Sequence, residues 1–479
     1  MIDDNFDLTP DPPEPTPSPW RNCLMTLITV LVIVGLLGSS IMGVLWLVHS
    51  RLEARQLTET VNPAIPTLAA SPRLQAEAGP TAVPLPPLSA ADRLNRLVYV
   101  TTDGHIATMN PNGSDGRILT ETRRNYLFPA WSPVGNDIAV IGNGRREAAI
   151  VYLQDSEEAA ERTLYASSEQ PAIYLYWSPN GRQLSFIASD ADDGLELHIA
   201  SLNEEAESRV LANGQPFYWQ WTADAEQLFI HSGFQGSEAR LTLLDAAGEG
   251  EGENIAAPGS FQSPGISADG RYWAYAEEVA AGTSWLVVAD TQSGELHRER
   301  HGGQIAMGWS PTANQLAFIS GSEEDGRFFG PLRLLDVATG ETTMLSREVV
   351  LAFFWSPDGR YLAYFTAHSG SNSDLQAAMR QRLAKPAQQF SLQFGLSVVD
   401  VTTGEGLRLA EFTPTFIFLS QFLPFFDQYA LSHRLWSPDS NALVLPMQVQ
   451  DEPHIFVVPV GGGQPQDIAV GDMAFWSQR

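Results

Sequence analysis

Two histidines four residues apart, His297 and His301, are the nearest this 479-residue chain comes to a metal-ligand pair. That spacing converges on one ion only along a helix, and Gly302-Gly303 follows at once, so a polar strand end or loop is the expected setting. A second cluster, Asp190, Asp192, Asp193 and Glu196, offers oxygen ligands suited to a hard cation such as Ca²⁺. Similar acidic stretches, Glu277-Glu278 and Glu323-Glu324-Asp325, recur along the chain, which favours solvated hairpin loops, and no cofactor is expected. There is no G-x-S-x-G nucleophile elbow, no Gly-rich phosphate loop, no H-E-x-x-H and no Cys-based metal spacing. A chain without catalytic residues is therefore the leading expectation.

Two segments carry side chains suited to binding instead. Residues 413–432 contain Phe416, Phe418, Phe422, Phe425 and Phe426. Residues 370–390 read as a short helix, with Ser373 and Gln376 as a capping box, Arg380, Arg382 and Lys385 near its C-terminal end, and Pro386 as its stop. The two segments either pack on each other as a lid or present an apolar and cationic surface that docks a protein or peptide partner. Acidic residues outnumber basic ones 56 to 28, for a net charge of −28. Such a surface repels phosphate backbones and anionic headgroups, so nucleic acid is excluded as a partner.

The elements that hold these segments are announced by a recurring phrase. Trp131, Trp177, Trp309, Trp355 and Trp436 each open a Trp-Ser-Pro sequence, most fully in Trp355-Ser356-Pro357-Asp358-Gly359-Arg360. Trp221-Thr222-Ala223-Asp224 and Gly265-Ile266-Ser267-Ala268-Asp269-Gly270 are worn copies, and Trp476-Ser477 is a truncated one. Successive steps are 46, 44, 44, 44, 46, 81 and 40 residues, and the two inserts account for the long step. Alternating runs such as Leu316-Ala317-Phe318-Ile319 follow each anchor and read as half-buried strands, four short strands per period. Pro presets φ for a type I turn, Ser and Asp or Asn accept backbone hydrogen bonds, and Gly tolerates a left-handed backbone. The Trp is sized to fill space between neighbouring sheets. Four strands per 40–45 residues is the arithmetic of a β-propeller blade.

The anchors, together with Phe186-Ile187-Ala188-Ser189-Asp190-Ala191-Asp192-Asp193-Gly194, resemble the repeat of the TolB-like, WD-repeat-like β-propellers, also found in the propeller domains of dipeptidyl peptidase IV and tricorn-type proteases. The resemblance implies an all-β propeller over residues 96–479. Seven complete units and one shared between the two chain ends count to eight four-stranded blades, or seven if the worn Gly265 unit merges with a neighbour. Leu97–Val100, a unit lacking its first strand, and Met473–Trp476, a first strand lacking its unit, are expected to pair and close the ring. The resemblance also implies a binding scaffold of the cell envelope. The other class of function on such a scaffold is a propeller enzyme, a polysaccharide lyase or metal-dependent hydrolase, which needs titratable side chains converging on the axis.

Three segments precede the repeats. Residues 1–20 are acidic and Pro-rich and read as a disordered tail. Residues 21–50 contain an uncharged run from Leu24 to Val48, long enough for one transmembrane helix; its length and acidic lead favour an uncleaved anchor over a signal peptide. Residues 51–95 form a Pro-rich linker. Arg51 and Arg55 after the span outnumber Arg21 before it, which by the positive-inside rule points the repeats to the cytoplasm. The family resemblance points the other way, and an extracytoplasmic, single-pass location is the expectation.

Overall fold

The computed structural model describes residues 95–479, apart from 121–123, 146, 157–160, 190–193, 203–207, 215, 234–238, 249–251, 257, 260–261, 281–282, 322–328, 368–392 and 451. The chain divides into two units, Met1–Pro72 and Arg73–Arg479, and all described residues belong to the second. The expected tail, transmembrane helix and linker, the helix over 370–390 with Arg380, Arg382 and Lys385, and Asp190, Asp192 and Asp193 lie outside the described residues. Among the described residues no helix is long and apolar enough to cross a membrane.

The described chain is all-β except for one short helical stretch, and its strands fall in consecutive antiparallel meanders. The first holds β1 (Leu97–Val100), β2 (Ile106–Met109) and β3 (Arg117–Ile118). The second runs β4 (Asn125–Trp131), β5 (Asp137–Asn143), β6 (Ala148–Gln154), β7 (Arg162–Ser167). The third runs β8 (Ala172–Trp177), β9 (Gln183–Ser189), β10 (Leu195–Ser201), β11 (Ser208–Gly214). The fourth runs β12 (Phe217–Trp221), β13 (Gln227–Ser232), β14 (Arg240–Asp245), β15 (Glu253–Ala256). The worn Gly265 unit makes its own sheet of β16 (Gly265–Ile266), β17 (Tyr272–Ala280), β18 (Thr283–Asp290) and β19 (Leu296–His301).

The next two repeat units are fused. They comprise β20 (Ile305–Trp309), β21 (Gln315–Ser320), β22 (Gly330–Asp336), β23 (Glu341–Trp355), β24 (Tyr361–Ala367), β25 (Phe394–Asp400) and β26 (Gly406–Phe412) in one seven-stranded sheet. The 15-residue β23 pairs with β22 through its first part and with β24 through its last, so it is the outer strand of one unit and the inner strand of the next. The last sheet holds β27 (Ala442–Val449), β28 (Glu452–Pro459) and β29 (Gln466–Val470), with Trp436 bridging to Leu443 where a first strand would stand. Finally β30 (Met473–Trp476) returns to the first sheet, with Leu97 opposite Trp476 and Val100 opposite Met473.

Each anchor turn is held by its own side chains. Ser356 Oγ donates to Asp358 Oδ1 at 2.6 Å and accepts from Tyr361 N at 2.8 Å, while Arg360 N donates to Asp358 Oδ1 at 3.0 Å. Ser267 with Asp269, Ser437 with Asp439 and Thr222 with Asp224 repeat the pattern. Gly359 has φ 70°, and a Cβ there would lie 2.0 Å from Thr312 Oγ1 of the preceding turn, so only glycine lets adjacent turns nest.

The anchor indoles do more than fill space. Trp177 Nε1 donates to Ala130 O, Trp355 Nε1 to Gly308 O and Trp436 Nε1 to Phe354 O, at 2.9–3.0 Å. Every acceptor is the residue just before the previous unit's anchor tryptophan. At these three positions one period ties unit to unit with a hydrogen bond of about 1 kcal/mol, beside the apolar area that the ring removes from water. At Gly265 a side chain would strike the Trp309 ring at 2.8 Å, which explains the glycine in the tryptophan place.

Candidate functional site

The Phe-rich segment is helical, not a loop. It bridges to the last sheet at Pro414–Met447, then makes a π-turn (Phe418–Phe422), a 3-10 turn (Leu423–Phe425) and α1 (Phe426–Ser432). Phe418, Leu419, Phe422, Leu423, Phe426 and Tyr429 are buried. Their partners come from one sheet after another. Phe418 meets Phe365 and Phe412, with centroids 5.5 and 6.4 Å away. Phe422 stacks on Phe354 and approaches Phe475, and Phe426 meets Phe353 edge-on. Tyr429 packs between Phe128 and Tyr174 at about 5 Å.

Polar contacts repeat this pattern. The Gln428 amide pairs with the backbone of Trp219 like a strand residue, accepting from its N–H and donating to its carbonyl, both at 2.9 Å. Asp427 Oδ2 accepts from Ser263 N at 3.0 Å. Residues 418–433 thus touch β4, β8, β12, the residues leading into β16, β23 and β30. One segment thus joins six different sheets.

Ser432 and His433 lie 2.6 Å apart, a distance that invites comparison with an activated nucleophile. The hydrogen-bond chain argues otherwise. His433 Nε2 faces the Phe128 carbonyl at 3.1 Å, which only accepts, so Nε2 carries the hydrogen. Burial pushes the imidazole down to about 4, so it is neutral and Nδ1 accepts from Ser432. Ser432 in turn accepts from the Tyr174 hydroxyl at 2.7 Å. Both residues are buried, and each ring nitrogen is already engaged. The chain of bonds positions α1.

The expected docking phenylalanines therefore divide. Phe418, Phe422 and Phe426 are buried, each ring packed against other aromatic rings. Phe425 is half-buried, and Phe416 keeps 38% of its surface exposed. His297 and His301 lie on β19, where four residues span about 13 Å and cannot share a metal. His301 is also buried, and desolvation pushes it down to about 4. Glu196 is engaged by His198 at 3.0 Å and Gln170 at 3.0 Å. Among the described residues no group of three metal-ligating side chains forms.

Two cavities flank the helical segment. One, of about 260 Å³, opens where the inner strands end, against Asp427, Trp309, Trp355 and Trp436. Burial pushes the Asp427 carboxyl up to about 6, against the opposing hydrogen bond from Ser263.

The other, of about 520 Å³, lies where β4 and β30 begin and the β1–β2 turn projects, with Ile417 of the insert on its wall. Among the described residues Arg124 carries the only guanidinium or ammonium on this wall; its Nη2 donates to Glu147 Oε1 at 3.1 Å, and its buried Nη1 has no hydrogen-bond partner. Asp472 is half-buried and raised by desolvation, and among the described residues it joins no ion pair. Nothing in the chain's composition singled out Asp472. Its only signal is the adjoining Gly471, where a Cβ would lie 2.7 Å from Val100 O.

No family model matches the chain, and no curated protein matches it. Solved structures similar to parts of it include an oligogalacturonate lyase in complex with manganese, at 14% identity and TM-score 0.45 over 70% of this chain and 86% of that one. TolB from Acinetobacter baumannii is similar at 16% identity and TM-score 0.37, over 66% of this chain; the chain spans 64% of that protein's length. The β-propeller domain of the Trilobed protease from Pyrococcus furiosus is similar at 13% identity and TM-score 0.42, over 72% of this chain and 97% of that one.

Proposed function

We propose that this chain is a membrane-tethered, non-catalytic β-propeller that binds a protein or peptide partner, TolB-like in build. In this reading the sheets form eight blades, two of them sharing β23, and the β1–β30 pairing closes the ring. A helix within residues 21–50 anchors it, the Pro-rich linker lifts it from the bilayer, and the propeller lies outside the cytoplasm.

The observation that carries the reading is the helical segment that joins six sheets. Sites on such rings need a channel, and in this reading the buried aromatic side chains of residues 418–429 fill it. The free surface that remains on the insert-bearing side is the 520 Å³ cleft and the exposed Phe416 beside it in sequence to Ile417. Loops on a rigid frame are the usual place for recognition.

The test is cross-linking of the full-length chain in its native membrane, comparing it with Phe416→Glu. The expected result is a cross-linked protein partner that the variant loses while its unfolding midpoint stays unchanged. Equal capture by both chains, or capture of nothing by either, overturns the reading. Protease treatment of intact cells tests the side of the membrane: cleavage of the propeller is expected, and full protection reverses the assignment.

A further inference from the structure

We infer that the 520 Å³ cleft binds a primary ammonium on an alkyl stem, with Asp472 as its counter-ion. This deepens the binding-platform reading and rests on it for the biological source of the amine. The cleft falls in the size range of small-molecule sites. Its walls combine two features that match such a group. Val100, Phe128, Ile417 and Met473 supply apolar surface for the methylenes. Asp472 lines the same cavity, and Asp103 stands exposed on its lip.

The geometry fixes Asp472 in advance. Its backbone N–H donates to Val100 O at 3.0 Å, and its carbonyl accepts from Thr415 Oγ1 at 3.2 Å. A Cβ at Gly471 would lie 2.7 Å from Val100 O, so this backbone packs closely against β1. The backbone that carries the carboxylate is therefore in place before a cation arrives. Among the described residues no ion pair includes Asp472; Arg124, on the same wall, pairs with Glu147 through its Nη2 and leaves its buried Nη1 without a partner. A half-buried charge without a partner lowers stability, and such groups collect at sites where a ligand completes the pairing. The net charge of −28 further raises the local concentration of cations at a cleft of this sign.

The test is calorimetric titration of the purified full-length chain with Nα-acetyl-lysine amide. Its Nε-acetylated counterpart and 1,5-diaminopentane are titrated in parallel. The expected result is binding of the lysine amide, weakened about tenfold or more by Nε-acetylation and likewise by Asp472→Asn. Asp472→Asn removes a desolvated charge, so its unfolding midpoint should equal or exceed that of the parent chain, which separates lost binding from lost fold. Tighter binding of the diamine assigns a free amine as occupant, and tighter binding of the lysine amide assigns a partner's side chain. Equal binding of the acetylated probe, an unaffected Asp472→Asn, or no binding by any probe overturns the inference. If the probes fail while the Phe416-dependent partner is still captured, only the amine chemistry falls. If the lysine amide binds and no partner is captured, only the platform reading falls.

Discussion

Replacing Arg96 with methionine should destabilise the protein through one buried network that joins its first described residues to its last. Arg96 is 6% exposed. Its Nε donates to Asp155 Oδ2 at 2.5 Å, its Nη1 to Asp115 Oδ2 at 2.8 Å and to Asn110 Oδ1 at 2.9 Å, and its Nη2 to Thr108 Oγ1 at 3.1 Å. The Asp155 side chain is 1% exposed and accepts a further bond from Thr108 Oγ1 at 2.7 Å. The Arg96 backbone exchanges hydrogen bonds with Ser477, so the network sits beside the β1–β30 pairing.

Methionine keeps the stem but leaves Asp155 as a buried carboxylate, a class of change that costs about 3–5 kcal/mol. Arg117 Nη1, 3.6 Å from Asp155 Oδ1, retains part of the compensation and puts the expectation near the lower bound, about 3 kcal/mol. At about 2 °C per kcal/mol for a large domain, the midpoint falls by about 6 °C. The assay is thermal unfolding of full-length protein followed by circular dichroism. The double variant Arg96→Met/Asp155→Leu removes both charges and should recover more than half of the loss, since apolar replacement of a whole buried pair is close to neutral. A fall of less than 1 °C in the single variant, or no recovery in the double, refutes the account.

Trp436→Phe should cost about 1 kcal/mol more than Trp476→Phe in chemical denaturation, because Trp436 Nε1 donates to Phe354 O whereas the buried Trp476 Nε1 has no partner. Gln428→Leu leaves the N–H and carbonyl of Trp219 unpaired beside α1, and should cost about 2–3 kcal/mol by the same measurement. Asp427 has a folded-state value of about 6, above its unfolded value, so the folded state holds its proton more tightly. Its contribution favours folding below pH 4 and is lost as pH rises from about 4 through 6. Asp427→Asn, which keeps an oxygen for Ser263 N, should therefore stabilise the protein at pH 8 by on the order of 2 kcal/mol relative to its effect at pH 4. Parallel unfolding curves at the two pH values with no change in that difference dispose of the argument.

Much of the scaffold was readable from residues near one another in sequence. The Ser-Pro-Asp-Gly turns close bonds within six residues, and the alternating runs after them need only a partner hairpin to become strands. The worn Gly265 unit was ambiguous, because its missing indole removed the strongest marker. The structure gives that unit its own sheet, and the ring of Trp309 from the next unit fills the gap. The same locality left the Phe-rich segment open between two readings. Eleven apolar side chains in twenty residues suit an exposed lid and a buried plug equally well, and their hydropathy carries no direction.

What the sequence determined by itself was therefore the repeating unit: its period, its turns and its strands, together with the chain's acidity. These follow from local backbone preferences and from composition, which survive without knowledge of neighbours. Tertiary structure alone decided that Phe418, Phe422 and Phe426 face inward, that Arg96 meets Asp155 across 59 residues of chain, and that Asp472 lines a cleft while joining no ion pair among the described residues. Each depends on which groups long chain separations bring together, and burial and pairing, not residue type, set whether a side chain is core, lock or site.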